Sequence, residues 1–423
     1  MVKMKDSRIE WIGQIPDDWE LSKIGAVYSE RNTKVSDKDF APLSVTKNGI
    51  VPQLDTAAKT DNGDNRKLIK KNDFAINSRS DRRGSCGISE YDGSCSLINT
   101  VLKPRKNMCN RYYNYVFHSE LFADEFYRWG NGIVDDLWST KWSEMKRIYI
   151  PFPKLTLQSR IADYLDDKCG KIDRYIEKQQ QVIEKLKAYK QAIITEAVTK
   201  GLDPTAPMKD SGIEWIGMIP AHWDIRRLRY LGTCVNGISK GGEFFGSGYP
   251  FVSYGDVYKN YELPVNVEGL VQSTEDERDL YSVQEGDVFF TRTSETIEEV
   301  ALTSTCMKTI DNATFAGFLI RFRPNSNLLI KEFSKYYFRS DKHRLFFVKE
   351  MNLVTRASLS QELLKRLPVL LPPKEEQEQI ANYLSHKCEE IDKAINTTQK
   401  KIERLTEYKK SLIYEAVTGK AEV

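Results

Sequence analysis

The chain has 423 residues, 40% of them hydrophobic and 11% aromatic, which suffices for two or three domains with real cores. Its formal charge of +3 is nearly balanced, so a polyanion would have to be met by a local basic face. No apolar run could span a bilayer, the opening MVKMKDSRIEWIG has no signal-peptide core, and the seven cysteines form no C-x-x-C pair. The expectation is a protein of the reducing cytoplasm with no membrane segment, disulfide framework or zinc site.

An opening motif comes first: Asp6-Ser7-Arg8-Ile9-Glu10-Trp11-Ile12-Gly13, then Ile15-Pro16 and Trp19. It returns 204 positions later as Asp210-Ser211-Gly212-Ile213-Glu214-Trp215-Ile216-Gly217, then Ile219-Pro220 and Trp223. Four of the seven tryptophans lie in these motifs, where large anchors that pack the segment onto a domain are expected rather than a ligand cage.

The first globular stretch runs from Leu21 to Pro153. Phe40–Val45, Asp73–Asn77 and Ser96–Leu102 read as strands between turn signals, and Tyr112–Phe126 as a helix with aromatics on one side. From Arg66 to Arg83 there are seven basic residues against Asp73 and Asp81, a local net of +5. The run ends in Asn77-Ser78-Arg79-Ser80-Asp81-Arg82-Arg83, arginines among small hydrogen-bonding residues after a strand. Arginine forks grip phosphates and read guanine edges, so this loop is a candidate DNA contact; on charge alone, a solvated basic loop would explain it as well.

A proline stop, Ile150-Pro151-Phe152-Pro153, precedes a helical pattern from Thr156 to Thr199. Leu165, Cys169, Ile172, Ile176, Gln179, Ile183, Leu186, Lys190, Ile193 and Ala197 form a heptad seam with two polar interruptions. Gly201 is placed to cap the helix, and 202–207 reads as a short, stiff connector.

The second globular stretch, Ile225 to Pro373, repeats the plan. Pro250–Tyr254, Asp287–Thr291 and Phe315–Phe322 read as strands and Lys331–Phe338 as a helix. Asn72-Asp73-Phe74-Ala75 matches Gly286-Asp287-Val288-Phe289, and Pro42–Val45 matches Pro250–Ser253. Thr291-Arg292-Thr293-Ser294 then falls where the arginine loop stands in the first stretch. The glycine-rich run from Gly241 to Gly248 reads as a flexible loop, and Glu275-Asp276-Glu277 marks a face turned away from DNA. After Leu371-Pro372-Pro373 the heptad seam returns 219 positions on, from Leu384 to Ala416, with Thr398 and Lys409 at the matching polar steps and Gly419 as cap. Each stripe needs a partner, and each copy supplies the other's.

The expected architecture is α+β: two target domains of similar fold separated by two long antiparallel coiled-coil helices, in a pseudo-two-fold internal repeat. Its parts are 1–153, the helix 154–201, 202–373 and the helix 374–423. The DNA-contact candidates are Lys47, Arg66, Lys67, Lys70, Lys71, Arg79, Ser80, Arg82 and Arg83 in the first stretch. In the second they are Tyr254, Arg292, Thr293, Arg339, Arg344 and Arg356, with Lys335 and Lys342 as further cations. The four histidines lack metal-ligand spacing, and no phosphate loop, nucleophile elbow or amino-methyltransferase tetrapeptide occurs. A helical adaptor joining two proteins without DNA, and a nuclease or methyltransferase in its own right, are the other readings.

The ordered series of motifs resembles the specificity subunits of type I restriction–modification systems, end to end. The two Ser-x-Ile-Glu-Trp-Ile-Gly-x-Ile-Pro-x-x-Trp motifs carry the likeness, as do Pro372, Pro373, Glu376, Gln377, Ile380 and Leu384, and the Glu-Ala-Val-Thr runs at 196–199 and 415–418. The first copy departs at Lys154 and Leu157 but keeps Gln158, Ile161 and Leu165. The resemblance implies a non-catalytic subunit that reads a split sequence in double-stranded DNA and holds two modification subunits. Those partners would carry S-adenosylmethionine and methylate adenine; restriction subunits using ATP and Mg²⁺ would join them. The family's base-reading loops vary, so no base contact carries over.

Overall fold

In this computed structural model, residues 3–53, 63–79, 82–105, 107–132, 138–294, 300–325, 327–350 and 357–423 are described. They divide into two compact units, Met1–Gln180 with Gln399–Val423, and Gln181–Thr398.

In the first unit the opening motif closes a hairpin. Met4–Asp6 pairs antiparallel with Gln14–Pro16, and the Ser7 N–H donates to Gly13 O at 3.0 Å. The turn needs left-handed backbone at Arg8 and Gly13, and it buries Trp11, Ile12, Ile15 and Trp19. The next strand, Glu20–Lys23, pairs with Tyr149–Phe152, so the proline stop is stitched to the opening motif. Between them lies an antiparallel sheet of β1 (Tyr28–Glu30), β2 (Phe74–Asn77), β3 (Cys86–Ile88) and β4 (Asn99–Pro104), in the order β1-β4-β2-β3. Two helices pack on it, α1 (Asn110–His118) and α2 (Glu120–Arg128), where the sequence suggests one. The break is Ser119, extended at φ −68° and ψ 141°, whose hydroxyl donates to Val116 O. Breaking there lets Phe117 and Phe122 meet at 4.7 Å in the core. The long helix α3 follows, Leu155–Lys200.

The second unit builds the same sheet. Its strands β5 (Gly232–Asn236), β6 (Val288–Thr291), β7 (Thr303–Thr305) and β8 (Leu319–Pro324) run antiparallel in the order β5-β8-β6-β7, the first unit's order strand for strand. Helices α4 (Lys331–Tyr337) and α5 (Asp341–Glu350) take the places of α1 and α2, and α6 (Lys374–Val417) that of α3. Asp224–Arg227 pairs with Pro368–Leu371, the counterpart of the first unit's stitch. The Gly241–Gly248 run is not a free loop. Strand Phe245–Val252 bulges opposite Val271, with Gly246 and Gly248 at positive φ. A Cβ at Gly248 would lie 2.6 Å from Val271 O, so the backbones meet where no side chain fits.

Two buried glutamines fix each long helix to its domain. The Gln158 amide donates to Pro153 O at 2.8 Å and accepts from Cys109 N at 2.9 Å; Gln377 donates to Pro372 O at 2.9 Å and accepts from Ile330 N at 3.1 Å. Cys109 and Ile330 are the N-caps of α1 and α4, and neither caps with its side chain. One amide thus satisfies a helix-start N–H and the carbonyl of the proline just past a strand, which burial would otherwise leave unpaired. Gly201 and Gly419, both at positive φ, end the helices and bond back to Ala197 O and Ala416 O.

Within each unit the two long helices run antiparallel. In the first, Arg160 meets Val423 O and the Lys409 ammonium donates to Asp173 at 2.7 Å. In the second, Lys190 donates to Asp392 at 2.7 Å. These are the same pair twice, 219 positions apart. The lysines that interrupt the heptad seam therefore set register, while Leu165, Cys169, Ile183, Leu384, Cys388 and Ile402 are buried along it. Each large aliphatic so buried contributes about 1.5–3 kcal/mol.

Candidate DNA-binding surface

The basic run of the first unit splits when it folds. Arg66-Lys67-Leu68-Ile69 is a strand buried on both faces. The Arg66 guanidinium donates to Ser94 Oγ at 2.9 Å and to Ser94 O at 3.2 Å, so it is a core staple rather than a surface contact. Lys67, also buried, donates to Asn99 O at 2.9 Å and lies 3.4 Å from Glu30. Lys70 and Lys71 are exposed in the turn that leads into β2, whereas Arg79 lies beyond the other end of that strand. Lys47 caps the hairpin of Leu43–Thr46 and Gly49–Pro52 and faces a cleft with His118, Asp173 and Lys409, apart from Arg79.

What remains together is the β2 end. The Asn77 carboxamide accepts from the Arg79 N–H at 3.1 Å, and Arg79 bridges to Ser139. Thr140 N–H donates to Ser78 O at 2.9 Å, which draws the short helix Trp142–Met145 alongside. The result is an open cleft of about 580 Å³ whose cations are Lys67, Arg79, Lys141 and Lys146 against one carboxylate, Glu30. Arg79, Lys141, Ser143 and Lys146 are exposed. Arg82 is exposed nearby; Arg83 pairs with Asp124 and lies 5.8 Å from the Tyr127 ring. Ser80 lies outside the described residues. Lys141, Ser143 and Lys146 went unnoticed in the sequence because 60 residues separate them from the arginine loop, although Lys141, Lys146 and Arg147 against Glu144 were a visible basic cluster.

The equivalent edge of the second unit is closed. Arg292 follows β6 as Ser78 follows β2, and its N–H donates to Phe318 O at 2.9 Å. Its own carbonyl accepts from Leu359 N at 2.7 Å, Thr293 pairs with Ser358, and both side chains are half-buried. Arg339 does not face outward. It donates to Thr303 O and, at 2.8 Å, to the carbonyls of Val257 and Asn260, over the Tyr261 ring, joining a helix end to the sheet. Lys335 is likewise buried, on Glu262 at 2.6 Å. Tyr254 is not a strand residue: it heads helix Tyr254–Lys259 behind a Ser253–Asp256 capping box and stacks on Tyr258 at 5.9 Å. Lys342 is half-buried on α5. Arg344 also lies on α5, and no side-chain geometry is described for it; Arg356 lies outside the described residues.

Burial pushes the thiols of Cys234 and Cys306 up to about 12 and that of Cys95 up to about 11, leaving them protonated at neutral pH. Among the described residues no group of three His, Cys, Asp or Glu could hold a metal ion, and no helix is long and apolar enough to cross a membrane.

Comparison with known proteins follows the same lines. The profile described as "Type I restriction modification DNA specificity domain" matches residues 223–407. The EcoKI specificity subunit of Escherichia coli K12 is 24% identical, over 96% of this chain and 90% of its own length. The MjaX specificity subunit, a putative one from Methanocaldococcus jannaschii, is also 24% identical, over 97% and 96%. Along nearly its whole length the chain is similar to specificity subunits of type I restriction–modification systems, and its residues 223–407 match their DNA specificity domain. Its role is DNA target recognition. Solved structures agree in fold: a chain from a study of assembly and conformational transition in the type I R-M system superposes with a TM-score of 0.71 at 14% identity, covering 95% of this chain and 98% of that one. The HsdS subunit of Thermoanaerobacter tengcongensis gives 0.52 at 15% identity, covering 98% and 100%.

Proposed function

We propose that this specificity subunit reads a bipartite target in double-stranded DNA, one part with each unit, and directs methylation by two modification subunits docked on it. Restriction subunits join the same complex. The chain itself holds no cofactor: S-adenosylmethionine, ATP and Mg²⁺ belong to the partners, and the assembly works in the cytoplasm. The observation that carries the reading is one sheet order built twice with unlike edges at the ends of β2 and β6. One scaffold presenting two different edges suits two unlike half-sites.

In the first unit the contact surface is the cleft of Arg79, Lys141, Ser143 and Lys146, with Arg82 beside it. Exposed cations at a cleft mouth release counterions when they meet phosphates, so binding must weaken with salt. The test is DNA binding by the complex with its modification subunits across a salt series. Replacing Arg79, Lys141 and Lys146 by alanine is expected to weaken binding and to flatten the salt slope by up to about three counterions. If Arg79 forks onto a guanine, discrimination at that base falls by about 1–3 kcal/mol. Unchanged affinity and slope would show that this cleft does not meet DNA.

A further inference from the structure

The edges at the ends of β2 and β6 align residue by residue, because the segments that frame them pair in the same way. Arg79 bridges to Ser139 in the first unit, and Thr293 pairs with Ser358 in the second. The Ser78 N–H donates to Ile98 O at 3.3 Å, and the Arg292 N–H to Phe318 O at 2.9 Å. The short helix beside the edge is Trp142–Met145 behind Lys141 in one unit and Gln361–Lys365 behind Ser360 in the other. Thr293 therefore stands where the first unit has Arg79, Ser360 where it has Lys141, and Phe318 where it has Ile98.

Charge is removed along this edge of the second unit. Two of the first cleft's exposed cations give way to hydroxyl residues. A third, Lys146, is kept as Lys365, but Lys365 donates to Glu362 at 2.8 Å, and Glu362 takes the place of Ser143. Arg292, which replaces Ser78, is half-buried. What the corner gains is apolar. Ile98 is half-buried and lines the first unit's cleft, whereas Phe318 at the same position is 64% exposed. Its backbone is pinned: the Ala316 N–H donates to Val252 O at 3.0 Å, Gly317 to Ile238 O at 2.8 Å, and Leu319 to Ala316 O at 2.9 Å, closing a turn around Gly317 and Phe318. A lone exposed hydrophobe is ordinary on a protein surface. This one occupies the position that lines a basic cleft in the other unit.

We infer that Phe318 is a specificity-determining residue that reads thymine in the second half-site, its ring against the 5-methyl group in the major groove. A phenyl ring can answer no hydrogen-bond donor or acceptor, and the thymine methyl is the apolar group among the major-groove base edges. The loss of exposed cations fits the same assignment, since they grip phosphates without distinguishing bases. The first unit thus meets its half-site with charge and the second with an apolar contact. The inference rests on the reading that each unit contacts one half-site, and it names the chemistry of the second.

The test is binding by the complex with its modification subunits to its mapped target, with each thymine of the second half-site replaced in turn by deoxyuridine, which lacks only the methyl group. The wild type should bind about fourfold more weakly at one such position, the worth of one buried methyl. In Phe318→Ala the thymine target should itself bind more weakly, and the same deoxyuridine should cost nothing further. The salt slope should be unchanged, because no cation is lost. Methylation mapping on random DNA should show that one position relaxed and the first half-site intact; Phe318→Leu, apolar without the ring, should keep part of the discrimination. A variant that merely folds poorly would weaken all targets alike and leave the deoxyuridine cost in place. An effect of deoxyuridine that survives Phe318→Ala would overturn the proposal, as would no effect at any thymine of the second half-site. Exchange of Ile225–Val369, cut within the paired strands Asp224–Arg227 and Pro368–Leu371, for the stretch of another specificity subunit addresses the reading beneath. If neither half-site changed, that two-reader reading would fail instead.

Discussion

The two units share a sheet and differ at its edge. At the end of β2, Arg79 stands in an open cleft beside Lys141 and Lys146. At the end of β6, Thr293 pairs with Ser358 and Arg292 O accepts from Leu359 N, and Phe318 is exposed, 64% accessible, where the first unit has the half-buried Ile98. Deeper in, the likeness returns. Asp73 and Asp287 both begin the equivalent strand, buried and forked by an arginine, yet the arginine is Arg31 from the β1 side in one unit and Arg323 from β8 in the other. The need to neutralise a buried carboxylate has persisted while the residue that does so has changed. The lesson is that frame and edge vary independently, which is the property a two-part reader requires.

The largest effect should come from exchanging an edge outright. Replacing Leu21–Ile150 with the corresponding stretch of another specificity subunit should change one half-site completely and leave the other intact, as read by methylation mapping on random DNA. The cut points suit this: Leu21 and Ile150 lie in the paired strands Glu20–Lys23 and Tyr149–Phe152, outside the sheet that carries the edge. Both half-sites changing at once would mean that the units read DNA jointly, and the comparison above would fail.

A smaller effect separates the units by pH. His343 is fully enclosed in the second unit, on Ser340 Oγ at 2.7 Å and 4.3 Å from the Tyr337 ring, and burial lowers its pKa from the ordinary 6.5 to about 3. The folded value is depressed, so the unfolded chain binds the proton more readily. The stability this represents is present above pH 6.5 and is lost as pH falls toward 3, by up to about 1.4 kcal/mol per pH unit. By pH 5 the second unit should have lost about 1–2 kcal/mol to this residue. His118 in the first unit is also lowered by burial, but its Nδ1 meets Asn114 O at 2.7 Å, a contact that favours the charged form and opposes the shift. Denaturant unfolding at pH 7 and pH 5 should therefore show a drop that His343→Phe reduces more than the same change at His118. Equal pH sensitivity in wild type and His343→Phe would remove His343 from the account.

Much of the frame was legible because it obeys a period. The heptad seam, its lysine interruptions and the Gln158 and Gln377 helix starts stand at fixed steps in both copies, and Asp73-Phe74-Ala75 against Asp287-Val288-Phe289 located the central strand of each sheet. The edge obeys none. Arg66 and Lys67 read as surface because they are charged, but their strand has neighbours on both faces, and the cations are paid into hydrogen bonds with Ser94 and Asn99. Arg339 was indistinguishable from a phosphate contact in the sequence, since the carbonyls of Val257, Tyr258 and Asn260, at the end of a helix far away in the chain, gather round its guanidinium only after folding. Lys141 and Lys146 were missed for the converse reason: the cleft that gives them meaning joins segments 60 residues apart.

The finest contrast lies in the opening motifs, which match at every position from Asp6 to Gly13 except one. Arg8 stands where the second copy has Gly212, and both adopt left-handed backbone, φ +59° and +71°. The surroundings are alike. An aspartate two residues back accepts from each N–H, Asp6 for Arg8 at 2.9 Å and Asp210 for Gly212 at 3.0 Å, and Ser7 and Ser211 each donate to the glycine that closes the turn at 3.0 Å. The side chain of Arg8 is exposed, so what it contributes there is mainly strain, about 1 kcal/mol for a Cβ in this conformation. A Cβ at Gly212 would meet no atom within 4 Å, so Gly212→Ala isolates the backbone cost without a clash. Gly212→Ala should therefore destabilise the second unit by about 1 kcal/mol. Arg8→Gly should stabilise the first by somewhat less, because glycine also widens the unfolded ensemble. Unfolding midpoints of the two variants, compared with wild type, give the signs directly. Midpoints that both stay put would show that the turn relaxes out of the left-handed region, and that the single mismatch between the motifs carries no strain.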